Sequence, residues 1–147
     1  MKKYIILIPI YNDRESLTKL IEEINSETEG INSEISIIVI NDASSQQIID
    51  EYQNIENINS IEIINMKENR GHARCIASGL KYIYKKKEFD YVIPMDGDGE
   101  DRPEEIENFI KLTKQSEDKS IAGERVKRSD SLFFKYEYSL PATSLRA

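Results

Sequence analysis

The densest chemistry in the chain sits in Met95-Asp96-Gly97-Asp98-Gly99-Glu100-Asp101-Arg102-Pro103-Glu104. Nine acids lie between Glu88 and Glu107, against one base, Arg102. Most charge runs are solvated loops. Here the acids begin directly after the apolar Tyr91-Val92-Ile93-Pro94-Met95, so a strand end delivers Asp96 and Asp98, two positions apart, to the same side. Carboxylates that close repel unless a cation stands between them. Hard oxygen donors suit Mg²⁺ or Mn²⁺, ions that keep positions open for phosphates. Glycines on both sides of Asp98 leave the backbone free to approach a ligand. A calcium-binding helix–loop–helix is excluded. Its sixth loop residue should be glycine and is Asp101, and a strand, not a helix, comes before it.

Three more polar clusters follow apolar runs: Tyr11-Asn12-Asp13, Asn41-Asp42-Ala43-Ser44-Ser45 and Asn69-Arg70-Gly71-His72. The runs themselves, Tyr4–Ile10, Ile35–Ile40, Ile61–Ile64, Tyr91–Met95 and Ser120–Ala122, read as strands, the first two buried on both faces. Helical periods separate them. Leu17, Leu20, Ile21 and Ile24 form one stripe, with Asn12 or Ser16 as its cap. Ile48, Ile49, Tyr52 and Ile55 form a weaker one. Ala73, Ile76, Ala77, Leu80, Ile83 and Tyr84 form a strong one, closed by Lys85-Lys86-Lys87. Pro103 opens the last, ahead of Glu104-Glu105 and Ile106, Phe109 and Ile110. Strictly alternating strands and helices predict an α/β fold: an open, mainly parallel sheet with helices on both faces. Such sheets bind ligands beyond the carboxyl ends of their strands, so the topology sends all four polar clusters to one edge.

Composition narrows the function classes. The 147 residues are the length of one domain, 1–147. A formal charge of −7 argues against nucleic-acid binding by phosphate neutralisation. One cysteine, Cys75, excludes an intrachain disulfide framework, and one histidine, His72, argues against a serine–histidine–aspartate triad. No glycine-rich dinucleotide fingerprint or P-loop is present, so a metal must do most of the phosphate holding. The N-terminal apolar run is too short for a signal peptide and has no cleavage site, and no run reaches the roughly 20 residues of a membrane span. The expected compartment is the cytoplasm.

The motifs, taken in order, resemble the inverting GT-A glycosyltransferases of family 2, and within them the polyprenyl-phosphate sugar synthases. Pro9-Ile10-Tyr11-Asn12-Asp13-Arg14-Glu15-Ser16-Leu17 is similar to the family's P-x-Y-N-E-x-E-N-L start. Val39-Ile40-Asn41-Asp42-Ala43-Ser44 resembles V-D-D-G-S. Asn69-Arg70-Gly71 through Gly79-Leu80 resembles N-x-G…A…G-L, and Asp96 to Glu104 resembles D-x-D-x-Q-x-x-P-E. The resemblance implies a GT-A fold and sugar transfer from a UDP- or GDP-linked donor. It assigns Pro9, Tyr11, Asp13, Asp42, Asp96 and Gly97 to the nucleotide, with Asp42 accepting from a base N–H. Asp96, Asp98 and Glu100 go to Mg²⁺ or Mn²⁺, Asp98 being catalytic with Arg125. Asn41 stands for a common Asp, and Asp13 is a methylene shorter than the usual Glu.

An alcohol acceptor needs a general base, whereas a phosphate acceptor is already anionic and needs cations to place it. Arg125 and Arg128 are the acceptor-phosphate residues in this reading. With Phe133, Phe134, Tyr136 and Tyr138 they form a basic aromatic tail suited to peripheral contact with an anionic membrane, at its inner face. The family's catalytic region normally runs further, so the domain is expected to be incomplete at its C-terminus. Two alternatives share this sequence: a non-catalytic nucleotide-sugar-binding fragment, and a receiver-type domain with an acidic cleft. His72 reads as a solvated or helix-bound residue at a helix start, Cys75 as an inert residue off its helix's apolar stripe, and Asn69 and Gly71 as shaping their loop.

Overall fold

The computed structural model describes residues 1–49 and 51–116. The proposed fifth strand at Ser120–Ala122 and the basic tail with Arg125 and Arg128 lie outside them. The chain divides into two compact units, Met1–Glu104 and Glu105–Ala147.

The first unit contains β1 (Lys3–Ile10), α1 (Arg14–Glu27), β2 (Glu34–Asn41), β3 (Ser60–Asn65), α2 (His72–Lys86) and β4 (Tyr91–Pro94). The strands form one sheet in the order β3-β2-β1-β4. Every pairing is parallel: Lys3 faces Glu34, Tyr4 faces Tyr91 and Ser36 faces Ser60. The α/β expectation therefore holds. The two central strands are the near-continuous apolar runs, as burial on both faces requires: Ile6, Leu7, Ile8, Ile37, Val39 and Ile40 are essentially inaccessible. After β4 the sequence continues through a short 3-10 turn, Pro103–Glu105, and then, in the second unit, α3 (Ile106–Gln115), which buries Ile106, Ile110, Leu112 and Thr113.

Three local expectations are corrected. Asp13, not Asn12 or Ser16, caps α1, its Oδ1 accepting from the Ser16 N–H at 3.2 Å. The weak stripe Ile48–Ile55 forms no helix among the described residues. Its downstream backbone is instead tied in irregular form by long-range side-chain bonds. Asn25 donates to the Asn54 carbonyl and accepts from the Asn57 N–H, while Asn59 Oδ1 accepts from the Ile35 N–H. Asn54 itself has φ 58°, outside any right-handed helix.

The third correction concerns α2. The helix buries Cys75, Gly79 and Ile83, whereas Leu80 and Tyr84 are exposed. Gly79 explains the choice of face. A Cβ there would stand 2.6 Å from Leu7 Cδ1 and 2.8 Å from Ile40 Cγ1, so only glycine lets the helix lie this close to β1 and β2. Cys75 is thus at the centre of the buried face, not off it.

Candidate functional site

The carboxyl ends of β1 and β4 open into a cleft of about 360 Å³ lined by Pro9, Ile10, Tyr11, Asp13, His72, Asp96, Gly97 and Asp98. Six of the residues assigned from sequence therefore share one cavity. A larger groove of about 720 Å³ runs along α1 between Arg14, Glu22 and Gln47. It holds mixed surface charges and none of the strand-end acids, so the smaller cleft is the candidate site.

Each wall has a structural cause. Tyr11, 53% exposed, offers an aromatic face to the opening, a natural surface for a base to stack on. Asn12 has φ 51°, and its Oδ1 accepts from the Ser45 N–H, the Ser45 hydroxyl and the Gln46 N–H. That side chain ties the loop after β1 to the loop after β2 and fixes its neighbours Tyr11 and Asp13. Gly97 fits because a Cβ would meet Pro9 O and Ile10 Cδ1 at 3.1 Å. Its role is thus close packing on the end of β1. Gly99 has φ 83° and turns the loop in the left-handed region.

The acidic loop is tied to itself. The Asp96 N–H donates to Asp101 Oδ2 at 2.7 Å, and the Glu100 N–H to Asp98 Oδ1 at 2.9 Å. Burial pushes the Asp96 carboxyl above its ordinary range, and the negative charges of Asp101, Asp98 and Glu100 add to that, while His72 pulls it down. Asp96 and Asp98 both face the cleft; Glu100 is exposed and does not line it. Among the described residues no three His, Cys, Asp or Glu side chains are grouped closely enough to hold an ion as they stand. Two hard carboxylates in one cleft, one of them raised by burial and then by neighbouring negative charge, are a donor set that fits Mg²⁺ or Mn²⁺.

Asp42 is placed differently from its neighbours. It is 4% exposed and outside the cleft lining. Its two oxygens accept from the Arg70 N–H at 2.8 Å and the Gly71 N–H at 2.9 Å. The carboxylate at the end of β2 thus holds the turn that launches α2. Beside it, Asn41 donates to Asn65 Oδ1 and accepts from the Ser44 N–H. An Asp at 41 would have no N–H for Asn65, which accounts for this departure from the family pattern.

His72, which reads from the sequence as a plain helix-start residue, also lines the cleft. Its Nε2 stands 3.2 Å from Asp96 Oδ1 across the cleft. The signal was available: the loop after β3 was already assigned to the same sheet edge as Asp96. Cys75 fits its inert reading in spite of its new position. Burial, foremost, and the nearby Asp42 charge push its thiol up to about 11.

With this geometry in hand, the comparisons are direct. The profile described as Glycosyl transferase family 2 matches residues 5–146, and the chain belongs to that family. The undecaprenyl-phosphate 4-deoxy-4-formamido-L-arabinose transferase of Photorhabdus laumondii is 32% identical over 139 residues, 92% of this chain and 41% of the relative. The protein of the same name from Proteus mirabilis is 30% identical over 138 residues, 92% of this chain and 40% of the relative. The chain thus spans about two fifths of the length of the curated relatives it matches. Among solved structures, S. aureus TarS 1-349 superposes with a TM-score of 0.60 at 20% identity, covering 77% of this chain and 32% of that one. Its complex with UDP-GlcNAc gives 0.58 at 20% identity, over 77% and 31%. These likenesses establish the GT-A fold. No helix among the described residues is long and apolar enough to cross a membrane.

Proposed function

We propose that the chain is the nucleotide-sugar-binding part of a glycosyltransferase that moves a sugar from a nucleoside-diphosphate donor to a polyprenyl phosphate. The observation that carries this reading is the shared cleft: Pro9, Tyr11, Asp13, Asp96, Gly97 and Asp98 line one cavity at the carboxyl edge of a parallel sheet, where ligands of such sheets bind. The two curated relatives act, by name, on undecaprenyl phosphate, and the TarS complexes with UDP and UDP-GlcNAc favour a UDP-linked donor.

In this reading Tyr11 stacks on the base. Asp13 keeps one oxygen on the Ser16 N–H and offers the other to the nucleoside. Asp42 can add a base contact to its two backbone bonds, since a carboxylate has about four lone-pair sites. Asp96 and Asp98, with Glu100 turning in from the same loop, would hold Mg²⁺ or Mn²⁺; when bound, such an ion offsets the charge on the diphosphate leaving group. Arg125 and Arg128, outside the described residues, are the acceptor-phosphate residues. They hold an acceptor that is already an anion and needs no base. A short-lived stay at the cytoplasmic membrane face follows from a lipid acceptor and the basic tail.

Titration calorimetry with UDP tests the reading. Mn²⁺ should tighten binding at least tenfold over chelator, and Asp98→Ala should abolish that gain. Equal affinity with metal and with chelator sinks it.

A further inference from the structure

We propose that His72 is a positioning residue for Asp96: its ring Nε2–H holds the carboxylate in the cleft in the orientation that meets the nucleotide sugar. The role rests on the function proposed above.

Four observations carry it. The first is the pair itself, at 3.2 Å, between two residues that line the same cleft from different elements, α2 and the loop after β4. A carboxylate can only accept, so the Nε2 in this bond must bear the proton.

The second is that His72 is delivered rigidly. Asp42 grips the Arg70 and Gly71 N–H groups, Gly71 turns the chain at φ 84°, and the Cys75 N–H closes the first helical turn on the Gly71 carbonyl at 3.0 Å. Gly79 then seats the helix hard against Leu7 and Ile40. Every step from the buried end of β2 to the His72 backbone is a short bond or a close packing contact.

The third is that Asp96 is held from both ends. Asp101 fixes its backbone N–H at 2.7 Å, which leaves the side-chain direction to His72.

The fourth is solvent. The His72 and Asp96 side chains are 60% and 40% exposed. Pairs this open add little to fold stability, so loss of the imidazole should show in ligand binding and not in unfolding. Outer partners that orient a liganding carboxylate typically change metal affinity by about 10–100-fold when removed.

The test compares wild type with His72→Ala and His72→Gln, in which the Gln amide nitrogen replaces Nε2–H. UDP affinity is measured by calorimetry with Mn²⁺ and with chelator, alongside the thermal midpoint. His72→Ala should weaken Mn²⁺-supported binding about tenfold and leave the chelator value and the midpoint unchanged. His72→Gln should recover most of the loss. Wild-type behaviour of His72→Ala, or a loss equal in both conditions that Gln does not recover, overturns the proposal. Should wild type itself show no effect of Mn²⁺, the function reading fails, and the pair is judged on its own. His72 is the chain's one histidine, so its imidazole ¹⁵N resonances are unambiguous. At fixed pH, Asp96→Asn should move the Nε2 resonance; an unmoved resonance overturns the pair.

Discussion

The loop after β2 and the loop after β4 are equally rich in polar residues, yet the structure uses them in opposite ways. After β2, Asn41 and Asp42 are buried and turned inward, onto Asn65, Ser44, Arg70 and Gly71. After β4, Asp98 is exposed and accepts from the Glu100 N–H of its own loop, while Asp96 faces His72 across the cleft. One loop is tied into the scaffold; the other is the one the proposed function gives to the ligand. Residue type does not tell them apart; the partners of each oxygen do.

Three substitutions sharpen or break this contrast. Asp42→Ala should have the largest effect on folding. It removes two bonds from a charged acceptor to the 70–71 turn, and such bonds contribute about 1.5–3 kcal/mol each before water replaces them at the half-open turn. A net loss of about 2–3 kcal/mol in urea unfolding is expected; a loss below 0.5 would show the turn stands without it. Ala43→Gly should act next, and in the stabilising direction. Ala43 has φ 59°, where the family pattern has glycine, and an L side chain there costs roughly 1–2 kcal/mol. The greater freedom of glycine in the unfolded chain offsets part of that, leaving a gain of up to about 1 kcal/mol by the same measurement. Asp98→Ala should be the smallest, within about 0.5 kcal/mol, although under the proposed function it should remove the metal-supported gain in nucleotide binding. A large loss of stability in Asp98→Ala would place that loop with the scaffold and erase the contrast.

Much of the fold was legible because β1 and β2 are apolar on both faces and so cannot be mistaken for exposed strands. The capping of α1 was missed by one residue, since Asn12, Asp13 and Ser16 are all competent caps. That Tyr11, Asp13, Asp96 and Asp98 share one cleft was legible, because a parallel sheet gathers its strand ends. Their division of labour was not. Asp42 is distinguished by backbone groups at 70 and 71, far along the chain, and nothing local records that. The missing helix after β2 has a similar cause: Asn25, on α1, takes up backbone groups at Asn54 and Asn57 from far along the chain. For α2, two faces a residue apart were both plausible stripes. The one containing Gly79 won because β1 and β2 come within reach of its Cα, and a missing Cβ adds nothing to a count of apolar residues.

The sheet order has a consequence for how the cleft comes into being. β1 lies between β2 and β4, and its two partners arrive at very different chain distances, Glu34 opposite Lys3 but Tyr91 opposite Tyr4. Closing the β1–β4 loop, about three times as long, costs about 1 kcal/mol more in chain entropy. Non-local pairings of that kind are the slow ones. Pro9 and Tyr11 belong to the early-pairing strand's end, and Asp96 to the late one. The cavity between them therefore exists only once the last strand has docked, and a fluorescent nucleotide added during refolding would report that final event.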